Sequence, residues 1–232
     1  MNRRTFLKTV PAATVLASTA SIYNQNNAEN FVPIVLPEPQ REGGKSVMAS
    51  LWERKTTREI SDKKLSPQVL SNLLWAAFGV NRENHPRGGV GRTAPSGMNL
   101  QGIDIYVALA EGAYLYEAVP HRLSPVVAKD IRGMTNPNAA AVPVSLIYVA
   151  KMNIPFGPPP AVEAEGEPQT VAIFPCYGEV ETGFIGQNVY LYCASEGLAA
   201  WFYSTNKEGL AEAMNLPSSR KVLYSQSVGY PI

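Results

Sequence analysis

A single globular domain mixing helices and strands is the class this sequence predicts, and three observations predict it. Of its 232 residues, 45% are hydrophobic and 17% charged, enough apolar material for one sizeable core. Val69, Leu70, Leu73, Leu74, Ala77 and Phe78 recur at helical spacing, and a longer helical stretch runs from Tyr177 to Glu196. Runs rich in β-formers, Ile103–Ala110, Pro143–Ala150 and Arg220–Tyr230, lie between and after them.

The global numbers exclude some functions. A net charge of +1 calls for neither nucleic acid nor an anionic membrane, so any anion site must be local. The 19 prolines and 18 glycines imply many turns rather than disorder. Cys176 and Cys193 have neither zinc spacing nor a C-x-x-C arrangement, so no metal is expected. They pair or stay free, and the sequence leaves both open.

The first 30 residues are set apart from the fold. Asn2-Arg3-Arg4-Thr5-Phe6-Leu7-Lys8 places an Arg-Arg pair before an apolar pair and a lysine. The modestly apolar run Thr9 to Ala20 is too short to span a bilayer comfortably, and Ser18-Thr19-Ala20 suits a signal peptidase. This is the twin-arginine export pattern; the other reading is a chance basic terminus on a cytosolic protein. The expectation is a periplasmic or otherwise exported protein with no stable membrane insertion once the signal is removed. Such signals resemble those that carry folded, often cofactor-loaded proteins. Residues 31–45, with Pro33, Pro37 and Pro39, read as an extended N-terminal arm, and residues 46–232 as the domain.

Within that domain each element has a local reason. Ser46 to Thr57 reads as a helix with Ser46 as cap, and its end carries Arg54-Lys55-Thr56-Thr57-Arg58. Three cations and two hydroxyls in five residues suit a phosphate, since guanidinium forks match its oxygens; they equally suit a solvated basic helix end. Ser66-Pro67 opens the next helix, Gly79 stops it, and Trp75 is expected in the core. Asn81 to Gly91, with His85 and Gly88-Gly89-Val90-Gly91, is a loop and not a dinucleotide fingerprint, because it neither follows a strand nor opens a long helix. Glu111-Gly112 turns the strand Ile103–Ala110 back on Ala113–Glu117. His121 has no obvious partner, and Pro125–Ile131 reads as a short helix. Asn153 to Thr170 is a long proline-rich insertion, a lid or a surface loop. Tyr177 to Glu196 is apolar all round and is expected to be buried, with Gly183 and Gly186 allowing close packing, for example across a dimer axis. Glu196-Gly197 ends it, and Leu198–Ser204 is a strand, so Gly197 either exposes amides to a bound ring or is a plain helix cap. Lys207–Leu216 is a short amphipathic helix before the last strand.

The stretch richest in recognition chemistry is Arg92-Thr93-Ala94-Pro95-Ser96-Gly97-Met98-Asn99-Leu100-Gln101. Pro95 fixes φ, and Gly97 permits close approach. Ser96, Asn99 and Gln101 offer donors and acceptors to a flat heteroatom edge, and Arg92 adds a cation. An ordinary turn into the next strand explains the same residues.

Taken in order, Arg54-x-Thr56-x-Arg58, Leu73-Leu74-Trp75-Ala76-Ala77, Asn81-Arg82, Arg92-Thr93-Ala94-Pro95-Ser96-Gly97, Ile105-Tyr106, Gly183 with Gln187-Asn188, Gly197-Leu198 and Val228-Gly229-Tyr230-Pro231 resemble the nitroreductase family. They look closest to its branch of peptide-azoline oxidases, the SagB/ThcOx type. The match runs from about Ser46 to Pro231. The resemblance implies an α+β fold, a central antiparallel or mixed sheet flanked by helices, in an intertwined homodimer with one FMN per active site at the subunit interface. It assigns Arg54, Thr56 and Arg58 to the FMN phosphate and ribityl chain. Pro95, Ser96, Gly97 and Asn99 would meet the isoalloxazine from the other subunit, and Glu196, Gly197 and Leu198 would supply backbone contacts near its reactive edge. Arg92 is a further candidate for flavin or phosphate. A basic residue near the C-terminus, common in the family, is replaced here by Arg220 or Lys221 or is missing, and Thr56 stands where serine is common. The function expected is hydride or electron transfer to or from a small organic substrate, with no side-chain acid or base nominated. The alternatives are a flavin carrier without turnover and a degenerate structural member that binds no FMN.

Overall fold

A computed structural model describes residues 31–155, 170–172 and 175–232. The export signal lies outside the described residues, as does most of the Asn153–Thr170 insertion. The chain divides into two units, Met1–Val32 and Pro33–Ile232, and the second holds every element named below.

The core of that unit is a seven-stranded sheet. Its strands are β1 (Ile34–Val35), β4 (Ile103–Leu109), β5 (Gly112–Glu117), β6 (Arg122–Val127), β7 (Val144–Lys151), β10 (Ala199–Ser204) and β11 (Arg220–Gly229). They run in the order β1-β6-β5-β4-β7-β11-β10, every neighbouring pair antiparallel. Two short hairpins add to it: β2 (Val80–Arg82) with β3 (Gly91–Arg92), and β8 (Asn153–Pro155) with β9 (Thr170–Ala172).

Helices cover both faces, which is why the central strands read as near-continuous apolar runs instead of alternating ones. Successive side chains of a strand point to opposite faces. On one face Tyr106, Ala108, Ile147 and Val149 pack with Leu210 and Met214 from the helix α5 (Lys207–Ala213) and the residue after it. On the other lies the long helix α4 (Pro175–Glu196), whose Gly178 backbone sits over Ile103, Ala150 and Leu223. Its Gly186 approaches Phe202 and Gln226 so closely that an added Cβ would lie 3.0 Å from the Phe202 ring. Gly186 therefore serves contact with the chain's own sheet, while Gly183 has open space around it.

Two helices pack on α4: α1 (Val47–Glu53) and α2 (Pro67–Phe78). Both start where their caps predict. The Ser46 hydroxyl accepts from Ala49 N at 3.2 Å, and the Ser66 hydroxyl from Val69 N at 3.3 Å. Leu73, Leu74 and Ala77 of α2 are fully buried, while Trp75 is half-buried and donates its indole N–H to the Val80 carbonyl at 2.9 Å.

Four expectations need correction. The expected Pro125–Ile131 helix is absent, its first residues Pro125 to Val127 ending strand β6: Val126 and Val127 are β-branched, and Leu123 is fully buried opposite Tyr116. The first helix stops at Glu53, so Arg54 to Arg58 lie beyond it. His121 does have partners, Ser71 Oγ at 2.8 Å and Tyr116 OH at 3.0 Å. Finally, α4 is not buried all round. Ile185, Val189 and Cys193 are sealed, but Tyr177, Val180 and Phe184 are 61%, 53% and 46% exposed along one face.

Candidate functional site

Once the chain leaves α1 it lies against β10, with Thr57 N donating to the Ala200 carbonyl at 3.0 Å. Residues spaced two apart then share a side, and Arg54, Thr56 and Arg58 all meet aromatic groups there. The Arg54 guanidinium carbon sits 5.4 Å from the centre of the Tyr190 ring. Thr56 Oγ1 is 2.9 Å from the Tyr190 hydroxyl, which also accepts from Phe202 N at 2.9 Å. Arg58 lies over Trp201 at 5.7 Å. Such cation–π seating orients a guanidinium without using its N–H donors. Among the described residues, neither arginine has a carboxylate within ion-pair distance. The i, i+2, i+4 spacing thus works as one edge of an extended segment and not as a helix end.

The second group is built differently. Arg92 donates from Nε to Gln101 Oε1 at 2.7 Å and from a terminal nitrogen to the Phe78 carbonyl at 3.2 Å, and it stacks on Phe78 at 5.2 Å. Burial pulls its guanidinium below the usual arginine range, with Tyr116 and Asp104 acting the other way. Gln101 Nε2 donates to the Val90 carbonyl at 2.7 Å and to Asn99 Oδ1 at 3.1 Å, and Asn99 Nδ2 donates to the Gly88 carbonyl at 3.0 Å. Ser96 Oγ accepts from Gln101 N at 2.6 Å. The polar side chains read as contacts for a ring edge therefore hold the loop itself together. Pro95, Gly97 and Met98 form its exposed tip.

The third group closes α4. Gly197 takes a φ of +69°, and Leu198 N donates back to the Cys193 carbonyl at 2.8 Å, the Gly-terminated helix cap. The Leu198 amide is committed inside the chain. Glu196 is exposed, with Oε1 accepting from Ser195 Oγ at 3.2 Å.

Within one copy the first and third groups lie along the C-terminal half of α4, where Lys45 N also donates to Ser195 Oγ at 2.8 Å. The loop group lies at its other half, where Gly102 N donates to Glu181 Oε2 at 3.1 Å and Gly97 approaches Tyr177. Nine positions separate Glu181 from Tyr190, roughly 14 Å along a helix. One chain does not bring the three groups together.

Comparison with known proteins settles the family. The profile of the nitroreductase family matches residues 51–230. The chain belongs to the nitroreductase family. A solved structure from Ralstonia eutropha JMP134, also provisionally named a nitroreductase, is 37% identical and superposes with a TM-score of 0.71, over 86% of this chain and 90% of that one. A protein of Methanocaldococcus jannaschii, provisionally named a nitroreductase, is 27% identical over 158 residues, 64% of this chain and 73% of its own. A chain of the Escherichia coli microcin synthetase complex McbBCD, solved with truncated pro-microcin B17 bound, shares the fold at 20% identity and a TM-score of 0.55, over 97% of this chain and 84% of that one.

The side chains of the first group fit a phosphate such as a flavin nucleotide carries. Two guanidinium groups without carboxylate partners flank a hydroxyl, a donor set suited to phosphate oxygens. Arg220, one of two candidates for an extra phosphate contact, is instead tied to Asp104 Oδ2 at 3.1 Å. Sequence reading missed Tyr190 and Trp201, which seat the arginines, and Glu181, which anchors the loop. Glu181 did leave a signal, a carboxylate between Val180 and Thr182 in a stretch otherwise read as apolar.

Proposed function

We propose that this protein is an FMN-dependent oxidoreductase working as a homodimer. The observation that carries the reading is the pair of unpaired guanidinium groups, Arg54 and Arg58, seated on Tyr190 and Trp201 with the Thr56 hydroxyl between them. They hold the phosphate and the adjoining ribityl chain. Pro95, Ser96, Gly97 and Asn99 of a second copy meet the ring, with Ser96 and Asn99 acting chiefly by shaping the loop. Glu196 and Gly197 border the reactive edge, and Leu198 contributes its side of the cap. Two features support the dimer: the groups touch opposite halves of α4, and that helix presents Tyr177, Val180 and Phe184 outward. Helix α1 adds Trp52, 91% exposed. An apolar surface of this kind gains by being covered.

FMN, when bound, supplies transfer of a hydride or electrons through N5. The protein positions the ring, and its arginines balance the negative charge of the phosphate. The substrate is a small organic molecule. The order of sequence motifs favours the SagB/ThcOx branch. The Arg3-Arg4 signal favours export, and an exported enzyme away from cytosolic NAD(P)H needs another electron partner or works as an oxidase.

The test is spectroscopic. Purified protein, as isolated or after adding FMN, should show bound flavin absorbance, and the flavin should reoxidise with a suitable acceptor after dithionite reduction. A colourless monomer that takes up no FMN overturns the reading. Flavin that binds but never turns over makes the protein a carrier.

A further inference from the structure

The loop after Arg92 is held in an unusual shape. Met98, Asn99 and Gln101 have φ values of +53°, +59° and +51°. Non-glycine residues adopt this region sparingly and persist there only where the surroundings hold them. Many of the bonds that do so stay within the loop and the β2–β3 hairpin; Lys151 on β7 adds bonds to the Gln101 and Gly102 carbonyls, and a side chain of α4 adds another. Glu181, on α4, accepts from Gly102 N at 3.1 Å through Oε2. The carboxyl thus grips the end of the segment at Gly102, next to Gln101, whose amide the Ser96 hydroxyl holds.

Glu181 is only 7% exposed, and its Oε1 is buried with no partner among the described residues. Burial pushes it above the usual carboxyl range, while Ser96, the Gly102 amide and Lys151 act in the other direction. Lys151 itself is drawn away, 2.9 Å from Asp104 Oδ1 and 3.1 Å from the Gln101 carbonyl. A buried acid without a close cation is a poor way to stabilise a helix–sheet interface, where an apolar residue of similar size does as well or better.

We propose that Glu181 is a positioning residue, clasping the Gly102 amide so that the loop keeps the shape that meets the flavin ring. The inference rests on the flavin reading for its purpose but not for its geometry. Three variants test it, through hydrogen exchange of amides 96–102 without flavin, thermal melting, and FMN affinity by fluorescence. Glu181→Leu removes the clasp and fills the space. It should melt at the wild-type temperature or above, yet exchange about tenfold faster in the loop and bind FMN about tenfold more weakly, the equivalent of one lost hydrogen bond. Glu181→Gln keeps an acceptor for the Gly102 amide and should restore both. Should Glu181→Leu not fold, Glu181→Asp, one methylene too short to reach the Gly102 amide, carries the same test. Loop exchange within twofold of wild type in the unclasped variant overturns the proposal, as does a loss of affinity that merely tracks a lower melting temperature. If the wild type takes up no FMN, the flavin reading falls while loop exchange still judges the clasp.

Discussion

A guanidinium contributes most to phosphate binding when its donors are not already committed to other groups of the chain. Arg54 and Arg58 meet that condition, and Arg92, bonded to Gln101 and Phe78, does not. Arg54→Ala and Arg58→Ala should each weaken FMN binding about ten- to a hundredfold, the range for a lost charge-assisted hydrogen bond, measured by flavin fluorescence titration. Arg92→Ala should instead lower the melting temperature, because it opens the loop's internal network. Equal affinity losses with no melting change for Arg92→Ala would contradict this division of roles. His121 gives a second residue-level expectation. Burial holds its imidazole below the ordinary value of 6.5, against Glu38 and the Pro37 carbonyl. The folded state thus binds a proton less readily than the unfolded chain. Its stabilising effect is complete above about pH 7 and is lost as pH falls through the unfolded and then the folded pKa. Melting temperatures of the wild type should drop more between about pH 7 and 5 than those of His121→Asn; parallel slopes would sink the idea.

Elements whose ends are set by local chemistry were legible in the sequence. The Ser46 and Ser66 caps and the Gly197 stop all act through bonds to neighbours a few residues away. Readings that depended on distant partners were not. Val126 and Val127 belong to a strand because Leu123 pairs opposite Tyr116, which no window around Pro125 contains. The bonds of Ser96 and Asn99 within the loop were hidden for the same reason: a polar side chain shows its capacity to bond, not its partner. Helix α4 is the instructive case, because its mean apolarity concealed two faces. Ile185, Val189 and Cys193 face inward, while Tyr177, Val180 and Phe184 do not. If the second face packs on another copy, a charge there disrupts assembly without disturbing the fold. Val180→Glu and Phe184→Glu should give monomers with wild-type circular dichroism in sedimentation experiments. They should also lose FMN, since the loop of one copy no longer reaches the arginines of the other. Charged variants that remain dimeric would place the interface on another face.

At the scale of the whole molecule, assembly and cofactor binding become one equilibrium. On the proposed reading, a chain with Arg54 and Arg58 at one half of α4 and the 95–99 loop at the other cannot complete a flavin site alone, and the dimer is the species that binds. Ligand binding to that species stabilises it by about 2.7 kcal/mol at a hundredfold excess over Kd. For a domain of this size each kcal/mol shifts the melting temperature by roughly 2–4 °C, so FMN should raise it by about 5–10 °C. The increment should shrink as the protein is diluted, because dissociation of the copies dismantles the site. Arg54→Ala should lose most of the increment while its flavin-free melting temperature stays put, and Phe184→Glu should lose it at every concentration. Differential scanning fluorimetry across a hundredfold range of protein concentration separates these behaviours. An FMN-induced shift that is full-sized and independent of concentration down to the lowest measurable protein would mean that one copy suffices. The loop of residues 95–99 would then have to reach the arginines within its own chain, against the separation imposed by α4.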